Sequence, residues 1–336
     1  MNASATTIRN RRRNIEGRWA GDPFFRVSRR CLSFTTGLGL LLWLAAPAVA
    51  DRLSLPADGS DVIGWEATIA AAAEDTLADI ARAFRVGHQA IRLANPEVDF
   101  WLPGEGTPVV LPTRFILPDA PRDGIVLNVP EMRLYYYPPA KDGAGREVIT
   151  HPVSIGRMDW STPLGRTRIS AKVENPSWTP PQSIRAEAAA AGEPLPEYIP
   201  PGPNNPLGAY ALRLALPSYL IHGTNRPYGI GMRVTHGCIR MYPEDIERLF
   251  PVVAVGTAVE IVNQPVKVGW LGDTLFIEVH PPLDENDAAA DLRRSALERI
   301  EAASSQRPVG LIGRALLQAL RERRGVPTAI SRGTEK

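Results

Sequence analysis

Residues 219–241 read Tyr219-Leu220-Ile221-His222-Gly223-Thr224-Asn225-Arg226-Pro227-Tyr228-Gly229-Ile230-Gly231-Met232-Arg233-Val234-Thr235-His236-Gly237-Cys238-Ile239-Arg240-Met241. The stretch opens as a short β-run, Tyr219 to His222, and then breaks on glycine and proline. It is one of a series. Ile125 to Val129, Arg133 to Tyr137, Val148 to Ser154, Arg166 to Ala171, Ala211 to Leu214 and Ala258 to Val262 are β-rich runs separated by Pro, Gly and Asn. Many short strands with turn signals predict a mainly β domain over 124–264, a sandwich or barrel. The chain's 32 prolines in 336 residues agree, because proline breaks helix interiors and sits at turns and strand edges.

The same stretch concentrates reactive groups. It holds two of the five histidines, His222 and His236, and one of only two cysteines, Cys238. A thiolate is the nucleophile, and a free cysteine is mostly protonated near neutral pH, so a catalytic cysteine needs an imidazole or a positive field beside it. His222 at the end of a β-run and His236 two residues from the thiol can each supply the imidazole, and the order of their roles stays open. Gly223 and Gly237 allow close backbone approach, and N–H groups around Gly237 and Cys238 could face the oxygen of a tetrahedral intermediate. Arg240 raises the local potential, which favours thiolate and attracts a carboxylate. Two histidines and a cysteine are also a zinc-type ligand set, but no CxxC or HxxxH spacing accompanies them. No metal and no cofactor is expected, in keeping with the lack of a Walker-type or Rossmann-type glycine loop.

Charge and composition set the surroundings. With 44% hydrophobic and 22% charged residues the chain can bury a sizeable core in two or three domains. Net charge is +2, but residues 1–50 hold eight arginines against Glu16 and Asp22, so the remainder carries −4. The basic excess therefore belongs to the leader, and a nucleic-acid binder is excluded. Those arginines precede an apolar run, Leu38 to Val49, closed by Ala48-Val49-Ala50, which reads as a signal peptide cleaved near Ala50. Ser28-Arg29-Arg30 partly resembles a twin-arginine signal, from which Cys31-Leu32 departs. Cleavage would remove Cys31 and leave Cys238 as the single thiol of an exported protein, unable to form an internal disulfide.

Between 66 and 114 the pattern is strand (Ala67 to Ala71), helix opened by Asp75-Thr76, second helix (Gln89 to Leu93), Asn95-Pro96, and strand (Pro108 to Leu111). Leu77, Ile80, Ala81 and Phe84 form one apolar helix face. This α+β, βααβ unit resembles a LysM module through Asp75-Thr76-Leu77, Ile80-Ala81, Ile91, Ala94-Asn95-Pro96 and Leu111-Pro112, with Glu74 departing where the family usually has Gly. The resemblance implies binding to the glycan of peptidoglycan; the alternative is a unit that only packs on its neighbour. From Pro176 to Pro206 nine prolines surround a predicted short helix, Ser183 to Ala191, which reads as a long loop folded over the sheet, a lid. A β extension over 265–283 and a helical, peripheral tail over 284–336 complete the chain.

His222-Gly223-Thr224 followed by Thr235-His236-Gly237-Cys238-Ile239-Arg240 resembles the signature of the L,D-transpeptidase (YkuD-type) catalytic domain. Further matches are Gly156-Arg157, Thr162-Pro163-Leu164-Gly165, Asn175-Pro176-Ser177-Trp178-Thr179-Pro180-Pro181, Pro201-Gly202-Pro203 and Asn205-Pro206-Leu207-Gly208, typical of Gram-negative periplasmic members with an amino-terminal LysM unit. The resemblance implies a periplasmic enzyme acting on peptidoglycan stem tetrapeptides, with Cys238 as nucleophile and a carbapenem as inhibitor. It implies His222 as base with its ring oriented by the Gly223 carbonyl, His236 in reserve, and Thr224 and Arg240 toward substrate. The acceptor amine would belong to another stem, giving a 3-3 cross-link, or to an outer-membrane protein. Two other readings remain at this point: a non-catalytic peptidoglycan-binding protein, and a peptidase that passes the acyl group to water.

Overall fold

The computed structural model describes residues 52–140, 145–157, 160–283, 288–305 and 307–333. The expected leader lies outside them. Among the described residues no helix is long and apolar enough to cross a membrane.

The first elements are β1 (Arg52–Ser54), β2 (Val62–Gly64), β3 (Ala67–Ala70), α1 (Leu77–Ala83), α2 (His88–Ala94), β4 (Pro108–Leu111) and β5 (Arg114–Ile116). Strands β3 and β4 pair antiparallel and enclose the two helices, so 67–111 is a βααβ unit. Local chemistry explains its boundaries. The Thr76 hydroxyl accepts the Asp79 N–H at 3.1 Å while the Asp79 carboxylate accepts the Thr76 N–H, a reciprocal cap that starts α1. Asn95 ends α2 and staples it to β4: its amide donates to the carbonyls of Ile91 and Val110, both at 2.8 Å, and its oxygen accepts the Val110 N–H at 2.7 Å. Leu77, Ile80, Ile91 and Val109 fill the small core.

The middle of the chain forms β6 (Gly124–Asn128), β7 (Arg133–Tyr137), β8 (Glu147–Gly156), β9 (Gly165–Glu174), α3 (Gln182–Ala190), β10 (Tyr210–Leu214), β11 (Leu220–His222), β12 (Arg233–Thr235), β13 (Ile239–Met241), α4 (Pro243–Val252) and β14 (Ala258–Val262). The strands run β8-β13-β11-β10-β9-β14-β6-β7, and β7 pairs back onto β8, so the sheet closes like a barrel. Most neighbours are antiparallel; β11 with β13 and β6 with β14 are parallel. Strands β1 and β12 add to opposite ends of β8. Every second residue points inward: Ile155, Leu212, Leu214, Ile221, Ile239 and Met241 join Ile246, Leu249 and Phe250 of α4 in one buried cluster.

After the barrel come β15 (Val266–Leu271), β16 (Thr274–Val279), α5 (Ala288–Ser304), α6 (Gly313–Glu322) and β17 (Thr328–Ala329). The tail is helical in α5 and α6, but the expectation that it is peripheral is corrected. It returns β17 to the β15-β16 hairpin, and Leu292, Ala296, Ile300, Leu316 and Ile330 pack on Val266, Leu275 and Ile277 as a core of their own. The extension and the tail are thus one α/β unit. A buried ion cluster joins it to the barrel: Lys267 Nζ donates to Ile116 O at 2.7 Å and Glu131 Oε2 at 2.8 Å and pairs with Glu278 Oε1 at 2.9 Å. Glu131, Glu278 and His280 converge closely enough to suggest a metal, but the Lys267 ammonium is within bonding distance of both carboxylates.

Candidate active site

Strand alternation assembles the site. Ile221 pairs with Ile239 and His222 with Arg240 across parallel β11 and β13, and both isoleucines fill the barrel core. Their neighbours therefore point the other way, so His222 shares a face with Arg240 and with Cys238, two residues earlier. That face lies under the proline-rich segment. The cavity there, about 360 Å³, is lined by His222, His236, Cys238 and Arg240 together with Trp160, Trp178, Ile184 and Tyr219.

His222 is buried, and its Nδ1 lies 2.7 Å from the Gly223 carbonyl. A carbonyl only accepts, so Nδ1 carries the proton and Nε2 presents a lone pair. Burial, reinforced by the Arg240 charge, lowers the His222 pKa to about 3 against the opposing pull of the Gly223 and Leu207 carbonyls. The ring is therefore neutral at ordinary pH, the state from which it can accept a proton, while the same burial weakens its basicity.

Cys238 rests as a thiol. Burial pushes its pKa up, against the Leu220 backbone and Arg240, which pull it down. The expected thiolate-favouring effect of Arg240 is present but outweighed. The sulfur lies 3.5 Å from the Ser218 carbonyl, where the S–H donates. Arg240 itself is lowered by burial, and its Nε is buried without a hydrogen-bond partner among the described residues.

The turn carrying Cys238 is held from three sides. Thr235 Oγ1 donates to the Cys238 carbonyl at 2.6 Å, and the Thr162 hydroxyl donates to the Gly237 carbonyl at 3.0 Å while accepting the Gly156 N–H at 3.0 Å. Gly237 has φ +96°, and a Cβ there would fall 2.8 Å from the Tyr219 ring, so only glycine fits.

The two histidines part company. His236 Nε2 meets Glu187 Oε2 at 3.0 Å, and its ring lies edge-on to Trp160 at 5.3 Å. Glu187 belongs to α3 in the lid and also binds Arg157 at 2.6 Å. The base of the lid is closed by backbone bonds between Trp178 and Ile199, and by Asn205, whose amide donates to the Pro176 carbonyl at 2.8 Å. Thr224 does not line the cavity: its hydroxyl accepts the Arg226 N–H at 3.0 Å in a local turn. Sequence reading missed Glu187, Ser218 and Trp160. An acidic residue in the lid helix facing a basic motif was the one available signal for the first.

Comparison with known proteins agrees with this arrangement. The profile described as the L,D-transpeptidase catalytic domain (YkuD) matches residues 122–261. The chain is 43% identical over 267 residues to the Escherichia coli K12 protein named "Probable L,D-transpeptidase YcfS", covering 77% of this chain and 81% of that protein. It is 39% identical over 292 residues to "Probable L,D-transpeptidase YbiS", covering 84% and 93%, and 39% over 304 residues to "Probable L,D-transpeptidase ErfK/SrfK", covering 88% and 96%, both of the same strain.

Proposed function

The chain belongs to the L,D-transpeptidase family, and from that premise we propose that it works in the periplasm on peptidoglycan stem tetrapeptides through a Cys238 thioester. His222 Nε2 takes the thiol proton as Sγ attacks the carbonyl of the third stem residue, the L-centre of a diamino acid. The carbonyl becomes a tetrahedral oxyanion, which backbone N–H groups of the Gly237-Cys238 turn are suited to stabilise. The amide bond to the terminal D-Ala then breaks, the imidazolium returns its proton to the departing amine, and the thioester remains. An acceptor amine attacks the thioester, gives a proton to His222, and expels the thiol. Arg240, with its unpartnered Nε, is the candidate to receive a stem carboxylate. His236 and Glu187 hold the lid and take no proton in this scheme.

The observation that carries the reading is the tautomer of His222. A neutral imidazole with Nδ1 held by the Gly223 carbonyl, on the same face as the Cys238 thiol, suits proton transfer to and from a cysteine. The acceptor is the side-chain amine of a second stem or a lysine of an outer-membrane protein. Incubation with tetrapeptide muropeptides, with and without a lysine-ended acceptor peptide, tests this by product mass. D-Ala release that survives in Cys238→Ala would end the proposal; release to water alone would convert the enzyme to a peptidase. Glycan contact through the βααβ unit is a further part of the reading. It expects Trp101→Ala, which trims an exposed ring, to weaken sedimentation with insoluble peptidoglycan while soluble stems are turned over as before.

A further inference from the structure

The βααβ unit is seated on the loop that joins the two halves of the active-site motif. The N–H of His88 donates to the Ile230 carbonyl at 2.8 Å and the N–H of Gln89 to the Gly231 carbonyl at 3.1 Å. Backbone meets backbone at this point. A Cβ on Gly231, whose φ is +86°, would fall 2.4 Å from His88 N and 2.5 Å from Gly87 Cα, and a Cβ on Gly87 would lie 3.0 Å from Gly231 Cα. The contact is framed by Tyr242, whose hydroxyl donates to the Val86 carbonyl at 3.2 Å, and by the Arg82–Glu244 pair at 3.0 Å. Opposite it, Ser154 of β8 donates to the Gly229 carbonyl at 2.6 Å.

Between His222 and Thr235 the chain has only one 3-10 turn, Pro227–Gly229, as regular structure before β12. Three glycines in that span make it costly to order, because glycine loses more backbone freedom on folding than any other residue. Its far end runs through β12 into the Thr235-to-Cys238 turn, so the loop is the covalent link between His222 and the thiol.

We propose that Gly87 and the turn leading into α2 are positioning residues of the catalytic centre: by clamping Ile230-Gly231 they hold the Cys238 turn in register with His222. The βααβ unit is then part of the enzyme's working geometry in addition to any glycan contact; the proposal rests on the Cys238–His222 reading above and not on which acceptor is used.

Gly87→Val in the full mature chain tests it. Gly87 has φ −77° and ψ 152°, a conformation valine adopts without strain, and the added Cβ meets Gly231 Cα at 3.0 Å and Pro152 Cβ at 3.5 Å. Cys238 alkylation by iodoacetamide, followed against pH, reports the thiol's surroundings independently of substrate. The expected result is a displaced alkylation profile and a kcat on a soluble tetrapeptide lowered by about tenfold or more, since small misplacements at reacting groups are costly. KM should stay within about threefold. An unmoved profile overturns the proposal, including the case in which kcat falls only in step with the loss of folded protein. If Gly87→Val does not fold, Gly87→Ala applies a single Cβ at the same 3.0 Å contact. The same two measurements then decide: a displaced profile with lowered kcat supports the clamp, and an unmoved profile overturns it.

Discussion

Nε2 of His236 and Oε2 of Glu187 meet at 3.0 Å, joining the residue two places before Cys238 to the helix of the lid. Hydrogen bonds from Arg157 and His236 hold the Glu187 carboxylate well below the usual range, at about 2, so that carboxylate stays ionised at neutral pH. That contact engages His236 with the lid, which supports the proposed assignment of the base role to His222. His222→Ala should cut Cys238 acylation by roughly 10² or more. His236→Ala and Glu187→Gln should instead raise KM while keeping most of kcat. Acylation and steady-state rates of the three variants check this, and a His222→Ala enzyme of wild-type speed would reverse the assignment.

The lowered pKa of His222 has two consequences with opposite visibility. The free imidazole in an unfolded chain titrates near about 6.5, whereas in the fold it is held at about 3, chiefly by burial and then by Arg240. A depressed folded pKa gives stability that is complete above the unfolded value and is lost as pH falls between the two. The melting midpoint should thus drop on acidification from pH 7 to 4, and drop less in His222→Gln. Over the same range kcat/KM should show no loss of base near pH 6.5 while the protein remains folded. An acid limb centred there would mean either that His222 titrates unshifted in the fold or that another group removes the thiol proton, and its persistence in His236→Ala would point to the first.

The barrel strands were legible because runs of β-branched and aromatic residues are punctuated by Pro and Gly, and the thiol and its two histidines were legible because so few residues of their kinds exist. What escaped was non-local. β12 and β13 are three residues each and owe their existence to pairing with β8 and β11. α4 was hidden by Pro243 and Pro251, although proline suits a helix's first position. The Glu187–His236 contact spans 49 residues and depends on how the lid folds back. β17 is two residues long, set by its pairing with β16. It makes a structural unit of a tail whose helical spacing alone looked peripheral.

Lys267 lies between Glu131 and Glu278 with 1% of its side chain exposed. Removing one partner of a buried ion cluster leaves charge unneutralised, so Lys267→Met should cost about 3–5 kcal/mol in urea unfolding. Burial opposes ionisation of Glu278, yet Lys267 and His280 together keep its pKa below the ordinary value. The cluster's contribution is therefore present above the usual carboxylate pKa and is lost as pH falls through the folded one. Adding Glu278→Gln to Lys267→Met should recover part of the loss, and a Lys267→Met protein as stable as wild type would show that the cluster contributes no net stability.

Thr235 separates the chemistry of its position from its shape. Its hydroxyl donates to the carbonyl of Cys238 at 2.6 Å and closes the turn that presents the thiol, and the residue is 2% exposed. Serine carries the same donor, so Thr235→Ser should keep the turn and most of the activity. Valine copies the shape without the donor and leaves the Cys238 carbonyl without that hydrogen bond, a loss of about 1–3 kcal/mol when the group is buried. That energy falls on the peptide unit of Cys238 itself. Thr235→Val should therefore lower the rate of Cys238 acylation by about tenfold or more with only a modest fall in melting midpoint, and Thr235→Ser should restore it. Acylation rates that follow side-chain volume, with valine matching threonine and serine falling behind, would mean that packing, and no hydrogen bond, places the thiol.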